Sequence, residues 1–326
     1  MLKFGLLTVI GPLLQKLERT HPVLPGQPRL GRRRTHSTWW LVRLWLLGVL
    51  GGWSQRQLFV KLENPRVRVW LRRFVALPAT LPDRSQFGRR IREPDFLAAL
   101  RLLFEELARR LARRRPADLK TLSLDFTDLP VNVRYDPDAA YGYSSKGRFY
   151  GYSLHLVITR RGALLAYRLA TANHHAVRLA EEMAPDLRPV RRRIASLLGD
   201  SSYDSGPFHE QVHRDLEARL LAPENRRSRN PGAPGPPPDR ATERGRALAL
   251  LATPRGRALY RQRTIIEQVN GQLKDVLRIG DIPYYVRGEA AVERLVAARL
   301  ILYNVALLKN VLDHQAHIRH VKALVA

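Results

Sequence analysis

The feature that most constrains this chain is a change of hydrophobic period at Pro116. Before it, Leu100, Leu103, Leu107 and Leu111 recur at helical spacing and predict one long helix over residues 96–115. After it, Thr121-Leu-Ser-Leu-Asp-Phe-Thr127 alternates with period two, as a half-buried strand does. A chain that switches in this way builds a helical region and then an α/β region. No internal repeat is present.

Stop and start signals divide the first region. Ser37 or Thr38 can cap a helix that runs to Leu50 and ends at Gly51-Gly52. Ser54-Gln-Arg-Gln57 has capping-box form and opens a second helix, to about Leu62. Asn64-Pro65 stops it, and a short basic helix is expected over residues 66–74. Pro78 and Pro82 bracket a turn before the basic run Asp83-Arg-Ser-Gln-Phe-Gly-Arg-Arg-Ile-Arg92. Short basic helices with tight turns suit a helix-turn-helix-like DNA module; a helical bundle with solvated arginines is the other reading.

The second region reads as strands over residues 121–127, 149–159 and 163–170, the last two joined by the hairpin turn Arg160-Arg161-Gly162. A helix over 175–193, a strand over 194–199, a helix over 207–216 and a short strand over 218–222 follow. The order β-β-β-α-β-α-β is that of the ribonuclease H-like fold, a mixed five-stranded sheet flanked by helices. Residues 224–243 are rich in proline, glycine and arginine, cannot pack a core, and are expected to form a mobile loop. Helices resume near Thr242 and continue to about Leu312. The expected division is a helical region over 1–118, an α/β region over 119–312 and a tail over 313–326.

Charge narrows the partners. The 326 residues hold 56 Lys+Arg against 29 Asp+Glu, a net +27. Of the basic residues 48 are arginine, a bias that GC-rich codon usage produces, yet codon usage creates no excess of base over acid. Residues 1–118 alone carry 24 basic and 8 acidic side chains, a net +16. A polyanion is the expected partner, nucleic acid first and an anionic membrane surface second. The absence of cysteine excludes disulfides, thiolate metal sites and cysteine nucleophiles. The most apolar early stretch, residues 41–53, is interrupted by Arg43 and is shorter than the ~20 residues a spanning helix needs. The N-terminus superficially resembles a signal peptide but has one early positive charge and no small-x-small cleavage pattern. It reads as an amphipathic helix of a cytoplasmic protein.

In so basic a chain, acids at strand ends are informative. Asp125 lies in the first strand with Ser123 and Thr127 on its face; Asp200 lies just past the fourth strand. If these strands are parallel neighbours, the two carboxylates approach each other where functional groups of α/β sheets gather. They would repel unless a cation lay between them, and hard oxygen ligands suit Mg²⁺ or Mn²⁺. The competing structural roles are a polar strand residue for Asp125 and a helix N-cap for Asp200. Asp128 and Asp204 rank lower, Asp204 as an N-cap. A third acid stands in Tyr260-Arg-Gln-Arg263-Thr-Ile-Ile-Glu267-Gln-Val-Asn-Gly-Gln-Leu-Lys274. On one continuous helix Tyr260, Arg263, Glu267 and Lys274 share an edge roughly 60° wide, with Ile266, Val269 and Leu273 on a separate apolar face. Glu267 could complete a three-carboxylate site with Arg263 and Lys274 gripping phosphates beside it; a surface helix with a weak Arg263–Glu267 pair is the alternative.

The pattern Tyr-x2-Arg-x3-Glu-x6-Lys resembles the signature of bacterial insertion-sequence DDE transposases. Leu122-Ser-Leu-Asp125, Tyr150-Gly-Tyr-Ser-Leu-His155, Thr171-Ala-Asn173, Gly199-Asp200-Ser-Ser-Tyr-Asp204 and Leu81-Pro-Asp-Arg-Ser-Gln-Phe87 are similar too, so the resemblance covers roughly residues 35–312. It implies a cut-and-paste enzyme with Asp125, Asp200 and Glu267 as catalytic acids holding two Mg²⁺ or Mn²⁺ ions. Tyr260, Arg263 and Lys274 would grip transposon-end phosphates. The partners implied are double-stranded DNA and a second copy of the chain on DNA, with no membrane and no small-molecule cofactor. Specific DNA contacts are expected in the basic run, at Arg84, Arg89 and Arg90. Two departures stand out. The 67 residues from Asp200 to Glu267 hold no large β-rich insertion, and Ser153 stands where many relatives have lysine. A metal-dependent nuclease of the same fold and a non-enzymatic basic DNA-binding protein remain the other readings.

Overall fold

Capping chemistry sets the boundaries of the first helices in a computed structural model that describes residues 2–27, 35–77, 80–132, 136–144, 147–225 and 239–325. The elements run α1 (Leu6–Thr20), α2 (Thr38–Gly51), α3 (Gln55–Glu63), α4 (Pro65–Leu71), α5 (Arg84–Arg90), α6 (Pro94–Arg114), β1 (Thr121–Pro130), β2 (Ala140–Ser144), β3 (Gly147–Thr159), β4 (Leu164–Thr171) and α7 (Ala176–Met183). A 3-10 helix (Ala184–Arg193) leads to β5 (Ser196–Leu198), α8 (Gly206–Leu216), β6 (Arg219–Leu221), α9 (Glu243–Leu251), α10 (Pro254–Tyr260), α11 (Thr264–Asp275), α12 (Glu289–Leu312) and α13 (Lys322–Val325). The chain forms two compact units, residues 1–107 with 273–279 and 286–326, and residues 108–272 with 280–285.

Every element described in the first unit is helical. Ser37 accepts the N–H of Trp40 at the start of α2, and Gly52, at φ 67°, ends it. Ser54 and Gln57 form the capping box of α3. Asn64 closes α3 and opens α4, its side chain accepting from the N–H groups of Arg66 and Val67 ahead of Pro65 in the first turn. The stretch after Pro82 is a helix rather than a bare basic run, because the Asp83 carboxylate caps it through Ser85 and Gln86. Pro78 lies outside the described residues.

The sequence boundary at residue 118 does not coincide with these units. α12 is apolar on nearly every side, and in the first unit it packs against α1 and α2. Arg101 donates to both Glu293 oxygens at 2.8 and 2.7 Å, and the Trp45 indole donates to the Arg294 carbonyl at 3.2 Å. α12, and not residues 41–53, is the helix among those described that is long and apolar enough to cross a membrane, but 78% of its apolar window is buried inside the protein. Residues beyond 312 are packed as well: Ile318 and Val321 are buried, and Asn310 donates to the Ile318 carbonyl at 2.8 Å.

The second unit is built on a mixed sheet of six strands, not five, ordered β2-β3-β1-β5-β6, with β4 also on β3. β3 is long enough that β2 pairs with Gly147–Gly151 and β4 with Tyr152–Ile158. β1 runs antiparallel to β3 and parallel to β5, and β6 is parallel to β5. β2 is the strand the pattern missed; its five residues, Ala-Tyr-Gly-Tyr-Ser, show too little apolar alternation to announce one. Alternation divides the two sheet faces. Leu122, Leu124, Val157, Leu197 and Leu220 pack with α7 and α8 through Ala180, Met183, Phe208 and Val212. Leu198 and Leu221 point the other way and pack with Ala247, Leu250, Leu259 and Tyr260 of α9 and α10. Most of the proline-rich segment, residues 226–238, lies outside the described residues.

Candidate active site

The parallel pairing of β1 with β5 brings the first two acids together. Ser123 is in register with Leu198, so two further residues along each chain set Asp125 level with Asp200; neighbouring strands lie about 4.8 Å apart. Asp125 shares the sheet face of Ser123 and Leu198, the one that α9 and α10 cover. Asp200 also caps: its Oδ1 accepts the Ser202 N–H at 2.8 Å and the Ser202 hydroxyl, closing a three-residue 3-10 turn rather than a long helix.

The third acid arrives on α11, and here the continuous-helix expectation fails. α10 ends at Tyr260, Arg261–Arg263 wind as a 3-10 turn, and α11 begins at Thr264. The Thr264 hydroxyl takes the Arg261 carbonyl at 3.1 Å, and Thr264-Ile265-Ile266 is a β-branched run that disfavours unbroken α-helix. Tyr260 therefore leaves the common edge and donates its hydroxyl to the Gly199 carbonyl at 3.1 Å, directly before Asp200. Arg263 points inward. Its guanidinium lies 3.1 Å from Asp125 Oδ1 and 3.5 Å from Glu267 Oε1. Thus the Arg263–Glu267 pair exists, on a Glu267 that is 64% exposed, but the same arginine also bridges to the buried acid. Lys274 is exposed in the last turn of α11.

Electrostatics ties the three acids to one another. Burial pushes the Asp125 carboxyl up, from an ordinary 3.8 to about 6; Arg263 opposes the rise, and the charges of Asp200 and Glu267 add to it. The fully buried Tyr203 hydroxyl is also raised, by burial and then by Asp125 and Asp200. Among the described residues no group of three His, Cys, Asp or Glu side chains is gathered closely enough to hold a metal ion as they stand. The Arg263 guanidinium supplies positive charge to both Asp125 and Glu267.

Arg84 and Arg89 are exposed on α5, whereas Arg90 is turned inward, 3.3 Å from Glu93 and donating to the Thr38 hydroxyl at 3.1 Å. Several site neighbours went unseen in the sequence. Asn270 donates to Asp125 Oδ2 at 3.3 Å, one turn along α11 from Glu267, a spacing of three that a helical projection shows. His155, 1% exposed, stacks on Phe126 beside Asp125 and shares a 3.2 Å hydrogen bond with Tyr203; burial and His174 hold its pKa down at about 3, so the ring is neutral. Asp204 caps no long helix. It is fully buried and receives Arg244 twice, at 2.8 and 2.6 Å, with the Asn225 N–H at 2.9 Å. Burial alone would raise its carboxyl; His209, Arg244 and Asn225 outweigh that and hold it well below the usual carboxylate range. No spacing rule links Asp204 to an arginine forty residues on.

The site therefore sits on a mixed sheet in which β1 carries Asp125, the parallel β5 leads to Asp200, and α11 carries Glu267. Residues 116–305 match the family model described as the transposase DDE domain, and the chain belongs to that family. Among solved structures, the chain is similar to a piggyBac transposase synaptic complex with hairpin DNA, at 10% identity over 99% of this chain and 79% of that one, with a TM-score of 0.40. It is also similar to a Mos1 transposase paired-end complex with the left transposon end, at 13% identity over 64% and 65% of the two chains, with a TM-score of 0.21. No curated protein matches it.

Proposed function

We propose that the chain is a cut-and-paste transposase of the insertion-sequence type and that Asp125, Asp200 and Glu267 are its catalytic acids on a ribonuclease H-like sheet. The observation that carries this is Arg263, a single guanidinium between Asp125 and Glu267 beside a strand register that sets Asp200 level with Asp125. A site that needs a cation to hold its acids together fits divalent metal in charge and in donor chemistry, since all three side chains offer hard oxygen. Bound there, two Mg²⁺ or Mn²⁺ ions would activate water and stabilise charge on the phosphate and the leaving oxygen. The protein's own part is positional. Asn270 and Arg263 orient the Asp125 carboxylate, Tyr260 fixes the backbone before Asp200, and Arg263 and Lys274 offer cations to phosphates of the DNA end. The freed 3′ hydroxyl then attacks a phosphodiester in target DNA and displaces the target strand's 3′ oxygen, so one P–O bond forms as another breaks and no protein–DNA bond forms.

Double-stranded DNA is the partner, with two copies of the chain on paired ends. The N-terminal region, net +16 over residues 1–118, supplies much of the phosphate attraction, with Arg84 and Arg89 open to it. The test is cleavage of the element's flanking inverted repeats with Mg²⁺, wild type against Glu267→Gln. The variant keeps DNA binding and loses at least about 10²-fold in cleavage rate; cleavage at the wild-type rate overturns the assignment. A strand-transfer assay on the same DNA separates a transposase from a nuclease of this fold.

A further inference from the structure

The hairpin formed by β2 and the start of β3 carries an aromatic face that the chemistry above does not use. Tyr141 is in register with Tyr150, and Tyr143 with Arg148. In an antiparallel ladder paired residues and their i+2 neighbours share a face, so all four side chains lie on one side of the hairpin. The Arg148 guanidinium lies over the Tyr141 ring, 3.9 Å from its centroid, and Tyr150 meets Tyr141 edge-on at 4.9 Å. Tyr141 is 48% exposed and Tyr143 77% exposed.

The hairpin that carries this face is held in place. The Tyr150 hydroxyl donates to the Asp136 carbonyl at 2.8 Å, and the Tyr152 hydroxyl donates to the buried Asp136 carboxylate at 3.0 Å. Gly142 lies so close to the Ala172 carbonyl that a Cβ there would stand 2.2 Å from its oxygen. A rigid backbone therefore presents two open rings and a planar cation to solvent.

We propose that this face is a stacking platform for unpaired DNA bases, an assignment that rests on the DNA-cutting reading above. Ring faces and a guanidinium plane are the surfaces on which bases stack, whatever their sequence, while the arginine charge meets the phosphates. A second copy of the chain is the poorer occupant, since each copy carries +27. Position agrees with the strand being cut. β1 runs five residues from Asp125 to Pro130, which is paired with Gly151, the residue that also pairs with Ala140 of β2. At about 3.4 Å per residue the hairpin begins roughly 17 Å beyond Asp125, at the same end of the sheet as Asp200. That span matches about five stacked nucleotides.

The experiment is metal-free binding of the full chain to a short labelled oligothymidylate, an abasic strand of equal length and a duplex of equal length. Tyr143→Ala weakens oligothymidylate binding about tenfold, leaves the abasic strand and the duplex within about twofold, and is rescued by Tyr143→Trp. Equal loss on the abasic strand, no loss on oligothymidylate, or failure of tryptophan to rescue overturns the platform. So does a change in sedimentation on Tyr143→Ala, which assigns the face to self-association. Tyr143 touches none of the three acids, so failure here leaves the cleavage assignment standing. Wild-type cleavage by Glu267→Gln likewise leaves this binding result intact.

Discussion

Asp125 is a largely buried acid whose partners disagree about its charge. Burial and two neighbouring carboxylates favour the proton, and one arginine opposes them. The folded carboxyl titrates at about 6 and the unfolded one near 3.8, so between these values the folded state holds more protons. The sign follows: its contribution to stability is complete below about pH 4 and is lost as pH rises through 6. At pH 7 without metal, the ionised group costs up to about 3 kcal/mol. Asp125→Asn, which can still accept from Arg263, should therefore melt higher than wild type at pH 7 and level with it near pH 4, while abolishing cleavage. Equal melting temperatures across that range, in metal-free buffer, would show that the arginine neutralises the acid fully. The positions of Asp125 within β1 and of Asp200 just past β5 were legible in the sequence, because strand alternation and a strand-end position need only local pattern. Arg263's double attachment was not, since it depends on a 3-10 turn at Arg261–Arg263 that the helical projection of residues 260–274 smooths over.

At the scale of elements, the connection from β6 through α9 to α11 decides where Glu267 stands, and Asp204 with Arg244 anchors it. The buried Asp204 accepts from Asn225 just before the proline-rich segment and from Arg244 just after it. Arg244→Ala leaves this carboxylate buried with its main counter-charge removed. The expected loss is about 3–5 kcal/mol, read from urea unfolding of the full chain at pH 7. Arg244→Lys should recover only part, because a single ammonium cannot reproduce the two-pronged contact. A change below about 1 kcal/mol for the alanine variant would mean that His209 and Asn225 hold the acid without help. This anchor was invisible in the sequence for a plain reason: it joins distant positions. By contrast, the capping box of α3 at Ser54 was read correctly and Ser37 was one of the two caps offered for α2, because each is written within three residues; Asn64 was read as the stop of α3, and its second role as the cap of α4 was not. β2 sits between these cases. Its strand identity comes from pairing with β3, not from its own composition.

At the scale of the molecule, the first helices and the last belong to one unit, although the period change at Pro116 suggested that the first 118 residues stand alone. α2 buries Trp39, Leu41, Val42, Leu44, Leu46 and Leu47, and its partners include α12, which arrives some 240 residues later. Burying each such side chain is worth about 1.5–3 kcal/mol, so a fragment that lacks α12 loses a large share of what orders α1 and α2. A fragment of residues 1–118 should therefore show no cooperative thermal transition by circular dichroism and should bind a dye that reports exposed apolar surface. The full chain, with residues 286–326 present, should melt cooperatively and exclude the dye. The fragment would still bind DNA through its charge, with affinity falling steeply with salt and without preference for the element's ends. Cooperative melting of the fragment together with end-specific binding would refute this, and would place both the fold and the recognition of DNA within the N-terminal helices alone.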